Sequence, residues 1–203
     1  MAGVLLAGGA GRRLGTAKAL VGFKGRPLAE RGVRTLADGG CRPVLVVLGA
    51  SADEVQRACA LGDAVVIVNE AWAHGLGGSV RAGLAEAERS GAMAVAMLPV
   101  DQPLVTPTLV RRVICAWRNG AVAAVATYGT EVSTPVVLDR SVWSGVASLA
   151  VGEVGARAFL RSNPELVTHV ACEDVGDPSD IDTEEDLRRI ESLARELAAD
   201  RSL

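Results

Sequence analysis

The sequence predicts an α/β fold, a mostly parallel, mixed sheet with helices on both faces. Three observations predict it. Short, continuously apolar runs rich in β-branched residues recur along the chain, longer segments of helical character separate them, and the first run ends in a glycine-rich turn. Such runs are expected of strands covered on both faces, and strand–helix alternation sets those strands parallel within one sheet.

The first strand, residues 4–7, opens into "GGAGRRLGTAK". "RPLAERGVRTLADGG" then reads as a helix, with Pro27 near its first turn and Gly39-Gly40 at its exit. Strands follow at "PVLVVLGA" (43–50) and "AVVIVN" (64–69). After the second, "NEAWAHGLGGSVRAGL" turns through Gly75, Gly77 and Gly78 into a helix expected to open near Ser79. "AMAVAMLPVD" (92–101) is a strand ending at Asp101, where Gln102-Pro103 stops the pairing. "TPTLVRRVICAWRNG" is a helix with Thr106 as N-cap, Pro107 at its first position and Gly120 at its stop. "AVAAVATY" (121–128) gives another strand. The last helix begins "DTEED", with Thr183 as cap and Asp186 three residues on. No linker marks a second domain, so residues 1–203 read as one.

In parallel sheets, ligands sit outside the carboxyl ends of the strands. That rule gathers the loop after Ala7, the end of 43–50, Asn69 and Asp101 around one crevice.

Composition narrows the partners. The 203 residues are 49% hydrophobic and 22% charged, enough apolar material for one compact core. Lys plus Arg is 21 against 24 Asp plus Glu, a net charge of −3, so no global basic field grips nucleic acid. Cys41, Cys59, Cys115 and Cys172 are scattered without a C-x-x-C pair, and His74 lies far from His169. Free thiols filling core space are expected, not a zinc site. There is no signal peptide and no apolar run near 18 residues, so no membrane association and a cytoplasmic location are expected.

The opening glycine loop matches neither common phosphate fingerprint. G-x-G-x-x-G fails at Leu14, and the P-loop fails because Thr16 follows Gly15. What is left is a strand, a glycine turn, Arg12, Arg13 and then Lys18. Glycines let successive N–H groups point into one concavity, arginine adds a planar fork and lysine a mobile point charge. The loop suits a polyphosphate. An ordinary strand-to-helix turn with solvated arginines has the same letters, and the loop alone does not separate the two.

The rest of the chain bears on that choice. "LLAGGAGRRLGTAKAL" resembles the signature of the molybdopterin nucleotidyltransferase family, L-A-G-G-x-x-x-R-M-G-x-x-K, with Leu14 in place of Met. Three later blocks resemble its cytidylyl branch: "NEAWAHGLGGSVRAGL", "LPVDQPLVTPTLV", and "GEVGARAFL" with "DIDTEEDL" behind it. The resemblance implies a Rossmann-like nucleotidyltransferase fold and Mg²⁺-dependent transfer of a nucleoside monophosphate to the terminal phosphate of molybdopterin, releasing pyrophosphate. It implies nucleotide binding by Leu6, Ala7, Gly8, Gly9, Gly11, Arg12, Lys18, Asn69, Gly78 and Ser79. It gives catalysis to Arg13, Lys18 and Asp101, and a molybdenum enzyme or its chaperone as a partner.

A carboxylate at a strand's carboxyl edge suits Mg²⁺, so Asp101 is the first candidate ligand, although an Asp also starts turns. Asp180 and Asp182 project to one side if extended, and Asp182 is the preferred second ligand, its alternative being charge at the last helix's N-terminus. Trp72 reads as core packing or a stacking platform, and His74 as a loop residue. CTP is the favoured donor, from the longer blocks, although "LAGG" at Leu6–Gly9 looks like the guanylyl branch. Three alternatives stand beside it: a guanylyltransferase of the same cofactor, a nucleotidyltransferase for a sugar or other alcohol phosphate, and a non-catalytic nucleotide-binding assembly module.

The chain departs from the family pattern at three places. Val100 stands where Gly is usual before Asp101, Ser133-Thr134-Pro135 replaces Gly-His-Pro, and Glu153 replaces Asp. Arg157 keeps its place, either at the acceptor's phosphate or in solvent.

Overall fold

The computed structural model describes residues 1–200, with side chains to residue 197. Strand β1 (Ala2–Ala7) leads through the glycine loop and the short pair β2 (Gly22–Phe23) and β3 (Arg26–Pro27) into helix α1 (Leu28–Asp38). There follow β4 (Val44–Leu48), α2 (Ala52–Ala58), β5 (Val65–Val68), α3 (Leu76–Arg89), β6 (Ala94–Pro99) and α4 (Pro107–Arg118). The second half adds β7 (Ala123–Tyr128), β8 (Glu131–Asp139), α5 (Trp143–Leu149), α6 (Arg157–Ser162), β9 (Val167–Ala171) and α7 (Glu184–Asp200).

Among the described residues, seven strands form one sheet in the order β5-β4-β1-β6-β8-β7-β9, with only β8 antiparallel to its neighbours. The predicted mostly parallel mixed sheet is therefore present. Its continuous apolar runs are explained by two cores. Along β4, Val44, Val46 and Leu48 join the core beneath α1, α4 and α7, while Leu45 and Val47 join the core beneath α3 and α5. Every residue of β4 is buried, as alternation between two covered faces requires.

The helices approach β1 closely from both sides. A Cβ on Gly32 of α1 would lie 2.5 Å from Leu5 Cδ1, and one on Gly83 of α3 would lie 2.6 Å from Val4 Cγ1. Glycine at these positions fixes how tightly both helix layers clamp the central strand.

Chain order reverses between β1 and β6. The chain runs outward from β1 to β4 and β5, then α3 carries it back to β6 on the other side of β1. Loops leaving two such strands diverge to opposite sides, opening a crevice at their carboxyl ends. That crevice is the site described below.

Several expectations are corrected here. Residues 64–69 were expected to be covered on both faces, but β5 is an edge strand with Val65 41% and Val68 49% exposed. The helix expected to open near Ser79 begins at Leu76, so Gly77 and Gly78 lie inside its first turn. Cys41, Cys59 and Cys172 are buried as core-filling thiols, whereas Cys115 on α4 is exposed. The caps agree: Thr106 accepts from the Leu109 N–H, and Thr183 and Asp186 form a reciprocal capping box. Pro135 sits in central strand β8 at a bulge, where the pairing jumps from Val125–Val136 to Ala126–Ser133 and no N–H is required. Among the described residues, no helix is long and apolar enough to cross a membrane.

Candidate active site

A cleft of about 530 Å³ lies over the reversal point. One wall is the glycine loop after β1, and another is the end of β6 with Pro99, Val100 and Asp101. The start of α3 supplies Gly75, Leu76 and Ser79, and Trp72 and Ala73 come from the turn before it. Asp182 arrives from the segment before α7, and Glu153 from the turn after α5.

The glycine loop holds its shape through Gly11. Its φ is +58°, and a Cβ there would lie 1.9 Å from the Thr16 carbonyl oxygen. The Leu14 N–H donates to the Gly11 carbonyl at 2.8 Å, closing the turn. Gly8 lies against α3 less tightly, with a Cβ position 3.2 Å from Ser79 Oγ. At Gly11 only glycine lets the loop turn this near to its own backbone.

Carboxylates face the loop. The Ile181 N–H donates to the Asp101 carbonyl at 2.9 Å, and Ile181 itself is fully buried. This anchor buries Ile181 and leaves its neighbours Asp180 and Asp182 beside Asp101. Ligand oxygens of all three carboxylates lie within 4.8 Å of one another.

Two basic side chains are docked on this cluster. Lys18 Nζ lies 2.6 Å from Asp101 Oδ2 and 2.5 Å from Asp182 Oδ1, and Arg13 Nη2 lies 2.7 Å from Asp182 Oδ2. The Lys18 and Asp101 side chains are only 18% and 17% exposed. Burial works to lower the Lys18 pKa, but attraction and hydrogen bonding to Asp101 and then Asp182 outweigh it and raise the value. The hydrogen bond from Lys18 holds Asp182 below the usual carboxylate range against its desolvation, and Arg13 adds to the effect. Asp101 Oδ1 is buried and has no hydrogen-bond partner among the described residues. A buried, unpartnered carboxylate oxygen beside two further carboxylates is a hard donor set that fits a divalent cation such as Mg²⁺.

Of the residues singled out in the sequence, Leu6, Gly8, Gly9, Gly11, Arg12, Arg13, Lys18, Ser79, Asp101 and Asp182 line this one cleft. Ala7, Asn69 and Gly78 stand behind it. Ala7 is buried at the end of β1, and Asn69 donates to Ser79 Oγ at 3.1 Å, beside the Gly78 backbone. Asp180, ranked below Asp182, belongs to the same cluster.

Ala73, Leu76 and Pro99 went unrecognised as cleft residues. Pro99 could have been read from its place at the end of β6, but the others depend on where the turn after β5 docks. Val100 is buried in the core as well as lining the cleft. Thr134, where the family pattern has His, donates its hydroxyl to Gln102 Oε1, next to Asp101.

Trp72 is partly exposed and lines the cleft, while His74 and Arg157 are exposed. The Glu153 turn is docked on α3. The Gly77 N–H donates to the Gly152 carbonyl at 2.8 Å, and a Cβ on Gly75 would lie 2.4 Å from that carbonyl oxygen.

A glycine–arginine–lysine loop facing carboxylates at the reversal of a parallel sheet is the arrangement of a nucleotidyltransferase. The model of the MobA-like NTP transferase domain matches residues 3–169, and the chain belongs to that family. It is 38% identical over 195 residues to the nicotine blue oxidoreductase of Paenarthrobacter nicotinovorans, covering 93% of this chain and 95% of that one. It is 31% identical over 201 residues to the molybdenum cofactor guanylyltransferase of Rhodobacter capsulatus, covering 98% of each. Among solved structures, Rv0371c of Mycobacterium tuberculosis H37Rv superposes with a TM-score of 0.81 at 30% identity, over 94% of this chain and 97% of that one. The same protein in complex with manganese gives a TM-score of 0.79 over the same shares of the two chains.

Proposed function

We propose that the protein transfers a nucleoside monophosphate from GTP to the terminal phosphate of molybdopterin, with pyrophosphate as the second product. The observation that carries this reading is the meeting of Lys18 with Asp101 and Asp182 at the mouth of the glycine loop. Cations and hard oxygen ligands brought together in this way are what transfer of a charged phosphoryl group requires.

In this reading the amides around Gly8, Gly9 and Gly11 hold the triphosphate, and Arg12 and Arg13 neutralise its oxygens. Lys18 meets the charge that grows on the bridging oxygen as pyrophosphate leaves. An oxygen of the acceptor phosphate forms the new bond to the α-phosphorus, and the bond from that phosphorus to the β-phosphate oxygen breaks. The acceptor is already largely ionised near neutral pH, so no strong general base is needed. Asp101 and Asp182, with Asp180, would hold Mg²⁺. Bound there, the ion would neutralise phosphate charge and orient the triphosphate. The manganese complex of Rv0371c supports a divalent ion in this family.

GTP replaces CTP as the favoured donor. Relatives named molybdenum cofactor guanylyltransferase from Rhodobacter capsulatus and Cereibacter sphaeroides each align over at least 95% of this chain. They agree with the guanylyl-like "LAGG" turn, whereas the longer blocks had pointed to CTP. Pyrophosphate release with molybdopterin and Mg²⁺, compared across GTP, CTP, ATP and UTP, decides between the donors. Release with GTP above the others is expected. A CTP maximum would return the donor to the cytidylyl branch.

A second reading rests on the 38% identity to nicotine blue oxidoreductase. The same loop could hold the diphosphate of NADH or NADPH, with the cleft receiving an oxidised aromatic acceptor. Steady consumption of NADH or NADPH with nicotine blue, and no pyrophosphate release from any triphosphate, would favour it.

A further inference from the structure

Two of the three cations assigned to the triphosphate, Lys18 and Arg13, are docked on the carboxylates assigned to the metal. The Lys18 ammonium lies within 2.6 Å of both Asp101 Oδ2 and Asp182 Oδ1, and the Arg13 guanidinium holds the other Asp182 oxygen at 2.7 Å. A divalent ion on Asp101 and Asp182 would sit about 2.1 Å from its carboxylate oxygens. The ammonium already lies between Asp101 Oδ2 and Asp182 Oδ1, so an ion bridging those two oxygens would take its place. Two cations so close repel strongly in a partly buried site, so one excludes the other.

The exchange is even in charge. Asp101, Asp180 and Asp182 with Lys18 and Arg13 carry one net negative charge. They keep that charge when a divalent ion replaces the two side chains. The displaced groups also have a place to go. The Lys18 stem runs beside Gly9, whose Cβ position is 3.9 Å from Lys18 Cδ, so the ammonium swings from a base beside the glycine loop. Arg13 is on that loop and its side chain is 66% exposed, free to turn.

We propose that Lys18 and Arg13 latch the metal carboxylates in the nucleotide-free protein, so that the divalent ion and the triphosphate bind as a coupled pair. The inference rests on the metal assignment made above. Without nucleotide, a metal ion must push two cations off their carboxylates with no anion to receive them. With nucleotide, the phosphates take both, and the carboxylates open. The coupling is reciprocal, so each ligand strengthens the other.

The test is Mn²⁺ binding, followed by the loss of the free-ion signal in electron paramagnetic resonance. Wild type, Lys18→Met and Arg13→Gln are compared with no nucleotide and then with the α,β-methylene analogue of GTP. Without nucleotide, Lys18→Met is expected to bind Mn²⁺ about 10-fold more tightly than wild type, a size typical of coupling between sites. Arg13→Gln, at an exposed position that the fold does not depend on, is expected to shift binding the same way by a smaller factor. Adding Asp101→Asn to Lys18→Met should erase the gain.

Equal or weaker nucleotide-free binding by both single variants overturns the latch. If wild type then still binds Mn²⁺ with the analogue, and Asp101→Asn abolishes that binding, the metal assignment survives the latch. Absence of Mn²⁺ binding in every protein, with and without analogue, overturns both.

Discussion

Lys18 and Asp101 are separated by 83 positions in the chain, yet their side chains meet at 2.6 Å. The meeting follows from topology: Lys18 belongs to the loop leaving β1, and Asp101 follows β6, the strand on the far side of the reversal. Every parallel sheet of this kind has such a crevice, but here oppositely charged groups are brought together from its two walls.

Substituting Lys18 by Ala is expected to lower kcat by about 100-fold, the usual scale for removing one charge-stabilising donor. Affinity for the triphosphate should fall far less, because the lysine acts most on charge formed as pyrophosphate leaves. Steady-state kinetics beside nucleotide titration separates the two effects. Equal losses in rate and binding would remove Lys18 from its assigned role.

Two glycine substitutions should fail for different reasons. Gly11→Ala forces a Cβ to 1.9 Å from the Thr16 oxygen at a positive φ, so nucleotide binding should be lost by loop distortion. Gly32→Ala drives a Cβ to 2.5 Å from Leu5 Cδ1 between α1 and β1, and should cost about 1–3 kcal/mol of stability. Thermal melts with nucleotide titrations check both. Gly15→Ala is the control for the loop, because its φ is also positive but no described residue lies within 4 Å of the new methyl.

The contrast between these glycines marks how far the sequence could be read. Glycines at the first loop, the caps Thr106 and Thr183, and the strand ends at Asn69 and Asp101 carry local signals, and they located most of the cleft. Gly32 and Gly83 carry none, because the need for them arises only when a helix from elsewhere docks on β1. The same is true of Leu76 and Ala73. Strand β8 escaped separate recognition because Pro135 interrupts it, and only the bulge reconciles that proline with a central strand. Asp180 was underrated because the anchor that leaves it beside Asp101 is the long-range backbone bond of Ile181.

Asp139 should give the protein part of its acid sensitivity. Burial works to raise its pKa, but hydrogen bonds from the Ser141 backbone, the Trp117 indole and the Ser141 hydroxyl outweigh it and hold the value low. A carboxyl group depressed in the folded state stabilises fully above its unfolded pKa, near 4, and loses that contribution as pH falls through the folded value. Asp139→Asn sets an amide NH₂ against one of the donors that both carboxylate oxygens now accept from, and is expected to cost about 1 kcal/mol near neutral pH and less in acid. Denaturant melts at several pH values check this, and a cost that grows in acid would contradict it.

Thiol accessibility should separate the cysteines. Burial pushes the Cys41 and Cys172 thiols up to about 11, and Cys59 is buried as well, while Cys115 lies on the surface of α4. Ellman's reagent at pH 8 is expected to react rapidly with one equivalent in the native protein and with all four after denaturation. Rapid native reaction of several equivalents would mean that the core around Cys41 and Cys172 opens readily.

The central claim is nucleotidyl transfer to a phosphate acceptor, and label tracing tests it most directly. GTP labelled at the α-phosphorus, incubated with the protein, Mg²⁺ and molybdopterin, should pass its label into a product containing the pterin. GTP labelled at the γ-phosphorus should release its label only as pyrophosphate. Retention of the α-label in GTP, or release of the γ-label as inorganic phosphate, would contradict the account.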